Sequence, residues 1–463
     1  MPYVLGIDIG NTTTTAAVAR RRAAAWSRPE AVPLGAGTAA LPSVLHLSAD
    51  GTLTVGEPGV DDGNRTARGF LRRVGDDVPL LLAGEPCPPH TLTAVLAAWV
   101  AERIVDREGE PAEAVVVSHP AGWGRHRREL LHRALWQLGV GDVTLLPRTV
   151  TVAESHAARG FPGDTAAVYA LGGDTFEAAL VRRNQRGRYE TFGLPQGLDC
   201  LGGADFDEAL AEHVRAALGR ELAAAGPGEA YATLRGLLPE CERAKRELTV
   251  GVAADVLLTL PNGPARVPVS RARFEELIRP AVQATVDLLV RTVHSAGLAP
   301  AQLDGVLLAG GSARVPLVAE LLGAALPVPV EVEPDPQLTA ATGAALAACQ
   351  VVSPQLRPPA PTAGPAPVSG AGRAVAPVSG AGRAVAPVSG AGRAVAPVSG
   401  AGRAAAPVHD AGWGPGPVVA GHRQPDHDGP EGGPPPRPPV RFTPLELPKA
   451  SRRALVRNRG REG

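Results

Sequence analysis

A carboxylate, a glycine and a run of hydroxyls stand together near the start of the chain, in Leu5-Gly6-Ile7-Asp8-Ile9-Gly10-Asn11-Thr12-Thr13-Thr14-Thr15-Ala16-Ala17-Val18. Apolar residues alternate into Asp8 and resume after the threonines, the pattern of strand, tight turn, strand. Gly10 tolerates positive φ and lets the backbone approach a ligand closely. Successive N–H groups in such a turn, from Gly10 through Asn11, Thr12 and Thr13, form a concavity suited to phosphate oxygens. Asp8, at the strand end, is the kind of group that holds a hydrated Mg²⁺ beside phosphate. A surface hairpin with an incidental acid has the same pattern, so on this stretch alone both readings stand.

A second stretch, Val168-Tyr169-Ala170-Leu171-Gly172-Gly173-Asp174-Thr175-Phe176-Glu177-Ala178-Ala179-Leu180, lays over the first without a gap. Ile9-Gly10 meets Leu171-Gly172, Thr13 meets Thr175, and Ala16-Ala17-Val18 meets Ala178-Ala179-Leu180. Two copies of one hairpin imply two similar halves whose glycine turns grip one ligand from opposite sides. The overlay also exposes a difference, since Asp8 is matched by Ala170.

The elements that must position these turns read as alternating strands and helices. Residues 41–55 contain two short strands around Asp50-Gly51. Helical spacing runs over 91–106, 125–138, 204–222, 234–248 and 274–296, with a further helix from Pro316, where the missing N–H of proline is not needed. Buried-strand runs occupy 114–118, 143–146 and 306–309. Such alternation implies an α/β fold with sheets covered on both faces. On the helix over 234–248, Glu242, Lys245, Arg246 and Thr249 fall at i, i+3, i+4 and i+7, on one face. That face can be a solvated charged surface. It can also contact a nucleoside, with Glu242 accepting from ribose hydroxyls, Lys245 donating and the Arg246 plane stacking on a base.

The chain of 463 residues exceeds one compact core, and its 55 glycines and 47 prolines concentrate after Cys349. Net charge is zero but split: residues 351–463 hold 14 basic and 6 acidic residues, against 32 and 40 before them. An acidic core argues against nucleic acid as partner. Cys87, Cys200, Cys241 and Cys349 are far apart without CxxC spacing, which points to free thiols in a reducing cytoplasm. No charged-then-apolar leader and no run long enough to span a bilayer are present, so a cytoplasmic location is expected. Lysine is rare, Lys245 and Lys449 against 44 arginines, which singles out Lys245 because arginine is not its equivalent.

From about residue 3 to 348 the chain resembles the nucleotide-binding domain of the 70-kDa heat-shock chaperone family. Gly6-Ile7-Asp8-Ile9-Gly10-Asn11-Thr12-Thr13 is similar to its first phosphate motif and Leu171-Gly172-Gly173-Asp174-Thr175-Phe176 to its second. Leu201-Gly202-Gly203-Ala204-Asp205-Phe206-Asp207 resembles the signature between the halves. Cys241-Glu242-Arg243-Ala244-Lys245-Arg246-Glu247-Leu248-Thr249 resembles the adenosine helix, and Gly310-Gly311-Ser312-Ala313-Arg314-Val315-Pro316 the adenosine loop. The resemblance implies an actin-like ATPase fold with two similar lobes around a nucleotide cleft, lobe I over about 1–165 and 327–350, lobe II over about 166–326. It implies ATP or ADP with Mg²⁺, the metal held by Asp8 through water. Gly310 and Gly311 then admit the α-phosphate and sugar, Arg314 covers a base face, and Gln337 takes the family's acidic position in the adenosine-proximal loop.

Departures accompany the resemblance. Val60 stands where the family has a lysine that assists phosphoryl cleavage, Ala170 where it has an aspartate, and Arg148 where it has a glutamate, with Thr151 or Glu154 at that position if the local alignment shifts. Asp8 is the acidic group retained, a candidate for what catalysis remains. Phosphoryl transfer depends on positioning and charge stabilisation, so the expectation is a nucleotide-dependent switch or scaffold with weak or absent hydrolysis. The alternatives are a slow ATPase driving a chaperone cycle with a separate partner, or an actin-like filament. The family's peptide-binding domain is not apparent after Ala348. Residues 351–463 are expected to be a disordered tail carrying four ten-residue repeats over 366–405, of the form Ala-Pro-Val-Ser-Gly-Ala-Gly-Arg-Ala-Val, and offering at most a short docking motif for an unidentified protein.

Overall fold

Strand β1 (Tyr3–Ile9) is buried along almost its whole length, as a central strand covered on both faces must be. In this computed structural model it forms a hairpin with β2 (Thr13–Arg22), with Asp8 opposite Thr15 and Ile9 opposite Thr14. Helix α1 (Pro89–Glu108) leads to β3 (Ala114–His119), which lies parallel to β1 with Ser118 beside Asp8. Helix α2 (Arg125–Gln137) leads to β4 (Val143–Pro147), parallel to β3, and helix α3 (Arg148–Ala158) begins at the next residue. The first sheet therefore runs β4-β3-β1-β2, with short strands added beyond β2.

The second sheet repeats this plan. Strand β5 (Thr165–Leu171) pairs antiparallel with β6 (Phe176–Arg183), which pairs with β7 (Tyr189–Leu198). Helices α4 (Gly203–Ala217), α5 (Gly219–Ala224), α6 (Pro227–Val250) and α7 (Arg271–Ser295) follow. Strand β8 (Gly305–Ala309) returns parallel to β5, helix α8 (Pro316–Ala325) follows, and β9 (Val330–Glu331) lies parallel to β8. Helix α9 (Thr339–Val352) ends the described fold. In both sheets a hairpin has a parallel strand added on the side of its first strand, which makes the overlay of the two stretches a structural duplication.

The structure describes residues 1–353 apart from Ala24, Ala36, 57–62, Ala225 and 261–262. Val60, the repeats over 366–405 and nearly all of 351–463 therefore lie outside the described residues. The four cysteines are unpaired. No helix among the described residues is long and apolar enough to cross a membrane.

Three expectations change. The helix read over 204–222 is two, α4 and α5, separated at Leu218. The helix read over 234–248 starts at Pro227 and continues through Pro239, held by buried Leu237, Cys241, Ala244 and Leu248 on its inner face. The chain stays with the second sheet through β9, past the residue 327 at which a return to the first lobe is expected.

Candidate functional site

The two turns are closed identically. Gly10 N–H donates to the Thr13 carbonyl at 2.9 Å, and Gly172 N–H donates to the Thr175 carbonyl at 2.9 Å. They also stand against each other: a Cβ on Gly173 would lie 2.5 Å from Thr12 Oγ1, a separation that only glycine permits. Thr13, Asp174 and Thr175 are half-buried in these turns, and Thr12 is exposed. Asn11 is already engaged, its Oδ1 accepting the Arg72 backbone N–H at 2.9 Å. The start of α4 is tied to the second turn, with Gly203 N–H donating to Gly172 O at 3.0 Å and Ala204 N–H to Gly173 O at 2.7 Å. Gly202, Gly203 and the β5–β6 turn are thus one backbone unit.

Beneath the turns lies an ionic cluster. Arg148, first residue of α3, donates from Nε to Asp8 Oδ1 at 2.8 Å and from Nη2 to the Ile9 carbonyl at 2.9 Å. Ser118 Oγ donates to the same Asp8 oxygen, as their parallel register allows. Arg148 Nη1 is 3.9 Å from Glu177 Oε2, and Glu177 Oε1 accepts the Ala121 backbone N–H. Glu177 Oε2 itself is buried and has no hydrogen-bond partner. Burial pushes the Glu177 carboxyl above the usual carboxylate range, against the pull of Arg148. Ala170, opposite Glu177 in the β5–β6 ladder, is buried.

These side chains do not fit Mg²⁺. A hydrated ion needs carboxylate oxygens free to accept from its water shell. Asp8 Oδ1 already accepts two donors, one of them a cation in contact, and Ala170 offers no oxygen. Among the described residues no three His, Cys, Asp or Glu side chains converge to hold a metal. Asp8, the residue expected to hold the metal through water, is thus engaged through Oδ1 by Arg148 and Ser118.

At the other end, α6 presents the expected face, but its groups are largely engaged with one another. Lys245 Nζ donates to the Gly203 carbonyl at 2.8 Å and to Asp207 Oδ2 at 2.6 Å, which leaves one ammonium N–H for a ligand. Asp207 is pushed up to about 6 by burial, despite Lys245. Arg246 pairs with Glu242 at 2.5 Å, and Thr249 Oγ1 donates to the Lys245 carbonyl at 3.0 Å. Ser312 closes on Gly203, which joins the Gly310–Pro316 loop to the start of α4. Gly310 N–H donates to the Pro336 carbonyl at 2.8 Å, and Gln337 lies just beyond a Cβ position on Gly311 at 3.7 Å. Arg314 faces Asp335 at 3.7 Å. The structure thus gathers Gly202, Gly203, Lys245, Gly310, Gly311, Ser312 and Gln337 around one end of the second sheet.

Sequence reasoning missed Glu177, Ser118 and Asp207. The hairpin overlay held the signal for Glu177, since it matches Thr15, the cross-strand neighbour of Asp8. Ser118 needed the β1–β3 register, and Asp207 needed the α4–α6 packing, neither of which has a local signature.

A family model described as Hsp70 protein matches residues 78–358. A protein named chaperone protein HscA homolog from Bordetella petrii is 28% identical over 368 residues, covering 74% of this chain and 57% of the relative. One named chaperone protein DnaK from Elusimicrobium minutum is 27% identical over 359 residues, covering 75% and 58%. The chain thus spans less than two thirds of the length of these relatives. The family match starts downstream of β1 and β2, and the first hairpin shares its strand pairing and turn with the second.

Proposed function

The chain belongs to the Hsp70 family, through a nucleotide-binding domain of actin-like ATPase fold, and from that premise we propose that it binds ATP and ADP as a switch or scaffold with weak or absent hydrolysis. One observation carries the reading: both glycine turns share the same backbone closure, while between them Arg148 is paired with Asp8 and Ala170 stands where the resemblance leads one to expect an acid. Backbone N–H groups grip phosphate whatever the side chains are, and side chains must orient the attacking water. The gripping parts are present and the water-orienting carboxylates are reduced.

A second reading, slow hydrolysis, is favoured by Glu177. It is a carboxylate shifted toward neutrality by burial, with one unpartnered oxygen beside a guanidinium. A carboxylate raised above its usual range with a free oxygen has the character of a general base. Calorimetric titration of the full chain with ADP, ATP and GDP tests the first reading. Adenine nucleotides should bind at least about tenfold tighter than GDP, a difference of about 1.4 kcal/mol. Equal affinity for GDP would remove the α6 face from base recognition.

A further inference from the structure

We propose that this site holds its nucleotide without a divalent metal, with the Arg148 guanidinium as the resident cation facing the phosphates. The proposal rests on the nucleotide-binding reading above and concerns how that binding is neutralised. Arg148 sits where both hairpins deliver their strand ends: it touches Asp8 and Ile9, the two residues leading into the first turn, and faces Glu177, two residues beyond the second. Its position is fixed twice, by the first turn of α3 and by two acceptors from β1. A guanidinium has five N–H groups. The Asp8 and Ile9 contacts use two, and Nη1 has only the distant Glu177 oxygen. The remaining donors match the planar, charge-assisted recognition of phosphate oxygens for which arginine is suited.

The surrounding charges point the same way. Asp8 and Glu177 together would repel a polyphosphate, and Arg148 lies between them as a counter-charge. A metal ion would have to approach Asp8 beside a cation 2.8 Å from its carboxylate, and would find a methyl group at Ala170. Arginine stays charged at every accessible pH and requires no coordination shell. It therefore supplies part of the charge that a hydrated ion would bring, without the ion.

The test titrates ADP into the full chain by calorimetry, once with Mg²⁺ and once with excess EDTA. The affinities should agree within about threefold. A loss of about tenfold or more on chelation would overturn the metal-free proposal and leave nucleotide binding standing. Absence of ADP and ATP binding in both buffers would overturn both readings. Arg148→Glu should reverse the behaviour, with ADP weakened about tenfold or more in EDTA and restored by Mg²⁺, whereas Arg148→Lys should stay metal-independent. If Arg148→Glu binds ADP in EDTA as the unmodified protein does, the guanidinium is not the cation and the proposal fails. If that variant does not fold, Mn²⁺ resonance on the equimolar protein–ADP complex decides. Immobilised Mn²⁺ in the unmodified protein contradicts the proposal, and its absence supports it.

Discussion

The β1–β2 and β5–β6 hairpins share strand pairing, turn length and the hydrogen bond that closes the turn, yet their acids are in different places. In the first, the carboxylate is the penultimate residue of the leading strand, Asp8, and faces Thr15. In the second, that penultimate position is Ala170 and the carboxylate stands across the ladder at Glu177. The first carboxylate is paired and hydrogen-bonded, and the second is buried with an oxygen unpartnered. A turn made by backbone groups survives exchange of the side chains around it. Chemistry carried by side chains does not, and here both acids lie beside one arginine.

Removing the two acids separates the hairpins most sharply. Asp8→Ala should cost about 3 kcal/mol in urea unfolding, because it strips Arg148 of its paired carboxylate. Glu177→Gln should cost less than about 1 kcal/mol, since the Oε1 acceptor for Ala121 is kept and a buried charge is removed. Equal losses would mean that the two carboxylates share Arg148 evenly. The turns themselves differ in clearance. A Cβ on Gly10 would meet Thr13 O at 2.7 Å, and one on Gly172 would meet Thr175 O at 3.3 Å. Gly10→Ala should therefore lose about 2 kcal/mol, and Gly172→Ala about 1 kcal/mol or less, by the same unfolding measurement.

Acidity gives a smaller contrast. Glu177 holds its proton to higher pH in the folded chain than its ordinary 4.5. Stability from this group is fully present below that value and is lost as pH rises through the folded one, by at most about 1.4 kcal/mol per unit. Glu177→Gln lacks this dependence, so the unmodified protein should fall relative to the variant as pH rises above 4.5. Parallel profiles would contradict the burial of Glu177. The smallest effect is expected from Ala170→Asp. It returns an acid to the second hairpin but leaves Arg148 on Asp8, so single-turnover hydrolysis should rise little, the site acting as a unit.

Hairpins, strand runs and the α6 face were legible because each is a local pattern of period, glycine and charge. Helix α9 was not, because its alanine-rich run buries residues nearly all round and has no polar face to set a period. The passage of α6 through Pro239 was hidden because packing of Leu237 and Cys241 overrides local propensity there. Arg148 was legible as a departure from the expected acid. Its engagement with Asp8 was not, because 140 residues separate them and only the β1–β3–β4 register brings them together. Lys245 was read as a nucleotide donor alone, and its second role, tying α6 to α4 through Asp207, required the fold.

The central claim is that the site grips nucleotide and scarcely cuts it. Single-turnover hydrolysis of ATP bound to the full chain, followed alongside ATP retention, tests this most directly. The account predicts that ATP stays bound and intact far longer than on a chaperone with the full set of acids. Release of phosphate at such a chaperone's rate, abolished by Asp8→Asn, would contradict it and leave slow hydrolysis with Glu177 as the reading to pursue.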